Sequence, residues 1–151
     1  MKNGVPTESQ VPWQESQDAC NTTVKPYYQV KKWSYCANVY ENVDSSLKCS
    51  ESVYDEKITK GPYLSGFSLV EEIQHYKSGV LSNLKCKKIT SVGLVVGLTK
   101  DNDLMVVPNF GLDYGDKGKF IISKQGTDPY LKGCGVRELL IQPESVEVFS
   151  N

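Results

Sequence analysis

The chain has 151 residues, of which 39% are hydrophobic and 23% charged, and its formal net charge is −1. This composition is ordinary for a globular protein of one domain with a core of its own. A charge so close to neutrality gives no reason to expect nucleic acid or an anionic membrane as a partner. The longest apolar run, Val92–Leu98, is far shorter than the roughly 20 residues that cross a bilayer, so no membrane span is predicted.

In chain order, the first predicted elements are a strand and a short helix. Residues 1–28 look irregular because glycine and several prolines interrupt any helical run. The alternating, aromatic run Val30–Cys36 predicts a strand. A helix is predicted over Ser50–Lys60, capped by a serine at its start and ended by Gly61 and the proline that follows.

The pattern then becomes rich in strands. Tyr63–Leu69 predicts a strand, and Ser68 with Glu71 three residues later fits a capping box that opens a helical turn through Tyr76. Further strands are predicted at Ile89–Leu98, Leu104–Val107, Lys119–Lys124 and Leu139–Gln142. Short strands with turn residues between them favour an antiparallel sheet or a small barrel that carries a few short helices. The predicted class is α+β, with residues 1–151 as a single domain.

Five cysteines in a chain of this size indicate a disulfide framework. None of them forms a close pair of the C-x-x-C type, so metal binding is not predicted. The odd number leaves one cysteine free or joined to something outside the chain. Although the residues after Met1 do not form a secretory signal, the cysteines and the glycosylation sequon at Asn21 favour an extracellular or lysosome-like lumen.

Composition and spacing alone predict no catalytic constellation and no cofactor. His75 is the only histidine, and it stands in a polar helical turn, which favours a surface position. The glycine-rich stretch Gly111–Gly118 lacks the pattern of a phosphate-binding loop and does not open a predicted helix, so it is better explained by tight turns.

Six segments, taken in order, resemble segments of the papain-like cysteine peptidase family. They are Lys2–Glu8 leading to Cys20 (family pattern K-N-G-hydrophobic-x-T-E), Lys60–Phe67 (K-G-P-V-x-V-x-F), Tyr76–Val80 (Y-K-S-G-V), Leu94–Gly97 (L-V-V-G), Asn109–Phe120 (S-W-G-x-x-W-G-D-x-G-Y-F) and Cys134–Val136 (C-G-I). The resemblance covers nearly the whole chain but only the C-terminal part of a peptidase. It implies the family's right-hand, barrel-like domain, with residues 1–28 as the segment that crosses from a helical half preceding Met1.

The positions that carry catalysis depart from the family pattern. Alignment on the L-V-V-G strand places Ser91 where the family has its histidine, and Pro108 where it has the asparagine that orients this histidine. Serine is no base near neutral pH, and proline has no side-chain amide. Asn109 is one residue along and would need a register slip. Phe110 retains the aromatic cover that the family's tryptophan gives.

The resemblance also suggests how the cysteines pair. Cys86 and Cys134 resemble a pair that the family bridges, and Cys36 with Cys49 would close a short loop. Cys20 matches a cysteine whose family partner lies in the missing helical half, which explains the odd count.

The first hypothesis is therefore a catalytically inactive papain-like protein that serves as a structural or binding component. Its residual cleft, which could hold an extended peptide or a partner's loop, would be lined by Gly66, Ile89, Thr90, Ser91, Val92 and Phe110. The alternative is the heavy chain of an active two-chain endopeptidase whose nucleophile lies on a separate light chain. A third possibility is an unrelated luminal binding domain.

Overall fold

A computed structural model describes residues 28–38, 44–124 and 132–148. The predictions for Cys20, for the sequon at Asn21 and for the remainder of the first 27 residues lie outside this part of the chain. The chain divides into two compact units, with the divisions after Ser34 and after Gln142.

The described residues form six strands and two short helices, in agreement with the predicted α+β class. In chain order they are β1 (Tyr28–Ala37), α1 (Glu51–Lys60), β2 (Tyr63–Phe67), α2 (Glu71–Gln74), β3 (Ser91–Leu98), β4 (Leu104–Pro108), β5 (Phe120–Ile122) and β6 (Leu139–Val148), with 3-10 turns at Ser45–Leu47 and Lys132–Gly135. The strands form one sheet in the order β1-β6-β2-β3-β4-β5. Within the described ranges this sheet is open, with β1 and β5 at its edges, so the barrel-like description is corrected to an antiparallel sheet.

The core lies on one face of the central strands. Tyr63, Phe67, Val95, Val106 and Phe120 alternate along their strands and are each at most 1% exposed. Burying a side chain of this size contributes roughly 1.5–3 kcal/mol, so this row of large side chains accounts for much of the stability of the sheet.

Helix α1 packs on this core through two residues one turn apart, Tyr54 and Ile58. It ends at Gly61, whose φ of 148° is hard for other residues to adopt. The side-chain amide of the buried Gln142 donates to the carbonyls of Lys57 (3.0 Å) and Gly61 (2.8 Å). These bonds satisfy carbonyl groups at the helix end, which have no partner inside the helix.

Of the element boundaries that differ from the prediction, two have a consequence for the fold. Helix α2 begins at Glu71 with Val70 as its N-cap, because the backbone N–H of Ser68 donates to the carbonyl of Cys134 (2.8 Å) and its own carbonyl accepts from Val70. Ser68 is therefore held by a distant turn and does not cap the helix. Strand β6 continues six residues beyond its predicted end at Gln142, through a proline, to Val148.

The smaller unit contains the outer parts of β1 and β6. Its strands are joined by ion pairs between Lys31 and Glu147 (2.7 Å) and between Lys32 and Glu144 (2.8 Å). Exposed ion pairs of this kind contribute about 0–1 kcal/mol each to the free energy of unfolding. They therefore help to align the two strands but add little to stability. Neither helix in the described ranges is long and apolar enough to cross a membrane.

Candidate functional site

The hairpin of β3 and β4 brings Ser91 and Pro108, the two positions predicted to have lost catalytic residues, to one end of the sheet. Gly93 of β3 pairs with Pro108 of β4, and Ser91 begins β3 two residues earlier. Two residues of a β-strand span about 6.5 Å. Ser91 and Pro108 are therefore offset from each other by about that distance along the strand direction. Ser91 also pairs with Phe67 of β2.

Neither residue at this end carries a group that moves or orients a proton. Ser91 is half-buried and offers a hydroxyl, while Pro108 is buried and offers only a ring. The chain turns sharply after β4, where the N–H of Phe110 donates to the carbonyl of Pro108 (3.0 Å). Asn109 lies in this turn and is exposed.

The segment before Ser91 is fixed by hydrogen bonds to β2 and the residues after it. The N–H of Thr90 donates to the carbonyl of Phe67 (3.0 Å), and its hydroxyl oxygen accepts from the N–H of Leu69 (2.9 Å). The start of β3 is thus positioned independently of what side chain stands at residue 91.

Ile89 lies in a cradle formed by two glycines. A Cβ at Gly66 would stand 2.6 Å from Ile89 Cγ2, and a Cβ at Gly135 would stand 2.9 Å from Ile89 Cγ1. Real Cβ atoms do not approach so closely, so both positions must lack a side chain for Ile89 to pack there. Gly66 pairs with the exposed Val92, so Ile89 packs against the backbone next to a residue of the predicted cleft.

The outer face of the sheet carries a row of apolar side chains, most of them exposed and one, Ile141, half-buried, of which the sequence analysis singled out only Val92, for the cleft. Leu64, Leu94 and Val107 are paired abreast on β2, β3 and β4, and Ile141 of β6 pairs with Leu64. The first three are 37–40% exposed, and Val92, two residues from Leu94 on the same face, is 54% exposed. The continuous apolar run of β3 was the available signal, because a strand apolar on both faces is usually covered on both. We call these five residues the outer apolar row.

An aromatic chain leads from the cleft end into the core. Phe110, 39% exposed, packs edge to face on Tyr114 with ring centroids 5.0 Å apart. Contacts then pass through Tyr76 and Phe120 to Phe67, with centroids 5.4–6.4 Å apart. Burial raises the pKa of Tyr114 to about 12, and the Tyr114 hydroxyl donates to a carbonyl of α2. The ring of Phe110 is therefore held at this end of the sheet through its contact with the anchored Tyr114.

His75 lies at the C-terminal end of α2 and is exposed, as predicted. Its backbone N–H donates to carbonyls of the helix, including that of Glu71. Nothing in these contacts places its imidazole in a catalytic role.

Two disulfides hold the loops around the sheet. They join Cys86 to Cys134, the pair that the resemblance implies, and Cys36 to Cys49, the pair predicted to close a short loop. The side-chain amide of Asn38 donates to the carbonyl of Cys49 (2.9 Å), and its oxygen accepts from the N–H of Cys49. These two hydrogen bonds reinforce the loop that the Cys36–Cys49 disulfide closes.

Comparison with known proteins identifies the class to which this fold and site belong. The family sequence model named papain family cysteine protease matches residues 1–143. The chain therefore belongs to the papain family. This membership excludes the unrelated binding domain among the hypotheses.

Two relatives are cysteine proteinases 1 and 2 of Entamoeba histolytica, each 26% identical over 97% of this chain. The chain spans only 44% of the length of either relative. Among solved structures, the bromelain protease of Ananas comosus superposes with a TM-score of 0.75 at 16% identity, covering 93% of this chain and 63% of that one. The digestive procathepsin L2 proteinase of Tenebrio molitor gives a TM-score of 0.72 at 22% identity, covering 94% and 43%.

Proposed function

We propose that this chain is a catalytically inactive papain-family protein that acts as a structural or binding component. The observation that carries the proposal is the pair of residues at the cleft end of the β3–β4 hairpin, Ser91 and Pro108. A papain-like peptidase needs an imidazole to hold its nucleophile as a thiolate and a carboxamide to orient that imidazole. A hydroxyl and a pyrrolidine ring do neither.

The local structure around the two substituted positions supports a protein that has lost its catalytic side chains and kept the fold that surrounds them. The β3–β4 hairpin, the fixed segment at Thr90 and the aromatic contact of Phe110 with Tyr114 all persist around the two substituted positions. Such scaffolding would keep a surface able to accept an extended peptide or a partner's loop, with Val92 and Phe110 as its exposed apolar groups.

The same proposal includes a partner that supplies the remainder of the papain-like unit. Less than half of the length of the curated relatives is represented here, and the outer apolar row is exposed in this chain. A missing N-terminal half or a separate light chain that covers this face would account for both. In this interpretation, residues 1–28 cross toward that half and Cys20 is joined to it. An extracellular or lysosome-like lumen, in which disulfides persist, is the compartment that we propose.

The proposal is tested by assaying the protein with its complete natural sequence and any accompanying chain. A fluorogenic peptide substrate and a thiol-directed covalent inhibitor report turnover and labelling of a nucleophile. We expect neither turnover nor labelling, and we expect the double variant Ser91→His with Pro108→Asn to acquire turnover where a cysteine nucleophile is present. Ser82→Ala, a change at an exposed serine outside the site, is the control.

Turnover by the natural protein that requires this chain would contradict inactivity. If that turnover also survived Ser91→Ala, the active two-chain endopeptidase would be the correct function, with the base supplied elsewhere. A comparison of labelled peptides by mass spectrometry then identifies the chain that carries the nucleophile.

A further inference from the structure

A block of positive charge lies next to the predicted cleft. Residues 73–100 contain five lysines and no aspartate or glutamate, although the whole chain has a net charge of −1. Three of these lysines, Lys85, Lys87 and Lys88, stand in one short segment and are exposed. None of the ion pairs among the described residues involves any of the three. Their charge is therefore not neutralised within the part of the chain that the structure describes.

The segment that carries these lysines is fixed to the rest of the sheet. Within it, Cys86 is joined by a disulfide to Cys134, and just after it the N–H of Thr90 donates to a carbonyl of β2 (3.0 Å). Lys88 is three residues from Ser91, which is at most about 10 Å along an extended chain. The lysines are therefore held beside the start of β3.

The turn after β4 brings exposed apolar side chains to the same end of the hairpin. Phe110 follows β4 by two residues, and Leu112 is 84% exposed. The loop that carries them is closed on itself, because the N–H of Gly118 donates to the carbonyl of Tyr114 (2.8 Å) and a Cβ at Gly118 would stand 3.6 Å from Leu112 Cδ2. Since β3 and β4 are antiparallel, the end of β4 and the start of β3 share one end of the sheet.

We propose that this end of the β3–β4 hairpin binds an acidic peptide segment. The inference rests on the proposed function, whose ligand is an extended peptide or a partner's loop, and it specifies the chemistry of that ligand. The ammonium groups of the three lysines attract carboxylates, and the exposed Val92, Phe110 and Leu112 favour apolar side chains. A short peptide in which glutamate or aspartate flanks a leucine or a phenylalanine offers both.

Two other anionic partners fit this surface less well. A sulfated polysaccharide has the charge but offers nothing apolar to Phe110 and Leu112. An anionic membrane would meet the carboxylate of Asp113, which follows Leu112 in the chain and is exposed. Like charges repel, whereas a peptide can place its carboxylates on the side of the lysines alone.

The proposal is tested by fluorescence anisotropy on the protein with its complete natural sequence and any accompanying chain. The probes are a fluorescein-labelled peptide in which glutamates flank a leucine and a phenylalanine, and the same peptide with glutamine in place of each glutamate. We expect the glutamate peptide to bind about tenfold more tightly at low ionic strength. This preference should shrink as salt is added, because salt screens exposed charges.

Charge reversals locate the bound carboxylates. At least one of Lys87→Glu and Lys88→Glu should weaken binding of the glutamate peptide about 3–10-fold, since consecutive side chains in a segment without helix point apart. Lys100→Glu is the matched control, because it makes the same charge change at an exposed lysine beyond the other end of β3. The eight residues of β3 span more than about 20 Å, well beyond the Debye length of about 8 Å in physiological salt. Its affinity should change by less than about twofold.

The apolar contact has its own variant. Leu112→Ser should weaken both peptides by the same factor, about 3–10-fold, because it removes apolar surface that does not depend on charge. Unchanged binding of both peptides in this variant would overturn the apolar part of the site. Tighter binding of heparin or of vesicles containing phosphatidylserine would assign the surface to another anion and overturn the peptide.

Failure of this inference is distinguishable from failure of the proposed function. Equal affinity for the two peptides, or no larger effect of Lys87→Glu and Lys88→Glu than of Lys100→Glu, would overturn the preference for acidic peptides and leave an inactive binding protein. Binding of neither peptide would overturn the inference and leave a structural role. Cleavage of a peptide during the titration, detected by mass spectrometry, would contradict inactivity and leave the charge preference to be judged by the variants.

Discussion

Replacing Gly66 by alanine will destabilise the chain, because the new methyl group would overlap with Ile89. The Cβ would stand 2.6 Å from Ile89 Cγ2 and 3.0 Å from its Cδ1, whereas carbon atoms prefer separations of about 3.5–4.0 Å. Relief requires a movement of about 1 Å by one partner. Ile89 has little freedom to make it, because its side chain is β-branched and the backbone of Gly135 is also close, as a Cβ built there would stand 2.9 Å from Ile89 Cγ1.

Overpacking of this kind costs typically 1–3 kcal/mol. In a chain of this length that corresponds to a fall in Tm of roughly 3–10 °C. Gly97→Ala is a matched control on β3, because its new Cβ would meet only the flexible end of Met105, at 3.1 Å from Cε. Its Tm should change by no more than about 2 °C, since alanine also restricts the unfolded chain.

The assay is a double-mutant cycle in thermal or urea unfolding. Ile89→Ala alone removes packing, but in the double variant with Gly66→Ala it also removes the overlap, so a coupling of about 1–2 kcal/mol is expected. Additive effects, or equal effects of Gly66→Ala and Gly97→Ala, would show that the glycine cradle does not hold Ile89 as described.

Three further predictions concern other parts of the chain. Loss of the bridge at Cys86, with its partner also changed to serine, should cost about 4 kcal/mol, against about 3 for the bridge at Cys49, because the sequence separations are 48 and 13. In a spectrophotometric titration, Tyr114 should ionise near pH 12; since its pKa is raised in the folded state, the stability it contributes is complete below pH about 10 and declines as pH rises toward 12. Leu94→Lys should weaken association with the chain or half that completes the papain-like unit and leave the Tm nearly unchanged, while Val80→Lys, at an even more exposed residue in a loop, should leave association intact.

Each of these predictions has a distinct contrary result. Equal losses for the two bridges would show that chain entropy does not set their contributions. Ionisation of Tyr114 near pH 10 would mean that its ring is solvated. Retained association in the Leu94 variant would place the partner on another surface of the chain.

The sequence predicted those elements whose signals are local. Helix α1 carries its own start and stop, and the β3–β4 hairpin combines two apolar runs with a polar turn in which Asn102 has a positive φ of 69°. The predictions failed where distant residues decide. Ser68 has the sequence of a helix cap, but its N–H is taken by Cys134, and β6 passes through Pro143, which normally argues against a continuing strand.

Some features of the candidate site could likewise be predicted from local sequence, and others could not. The substitutions proposed at Ser91 and Pro108 come from alignment of short motifs, because those positions are defined by neighbours in sequence. The cradle of Ile89 could not, since it joins β2 to a turn nearly seventy residues away.

The outer apolar row has a consequence for the amount of this protein in a cell. An uncovered row of leucine and valine side chains across neighbouring strands is a surface that chaperones bind and on which chains aggregate. A chain synthesised in excess of whatever covers this row would be retained or degraded. Its abundance should therefore follow that of the proposed partner, so that the supply of the partner sets the level of this chain.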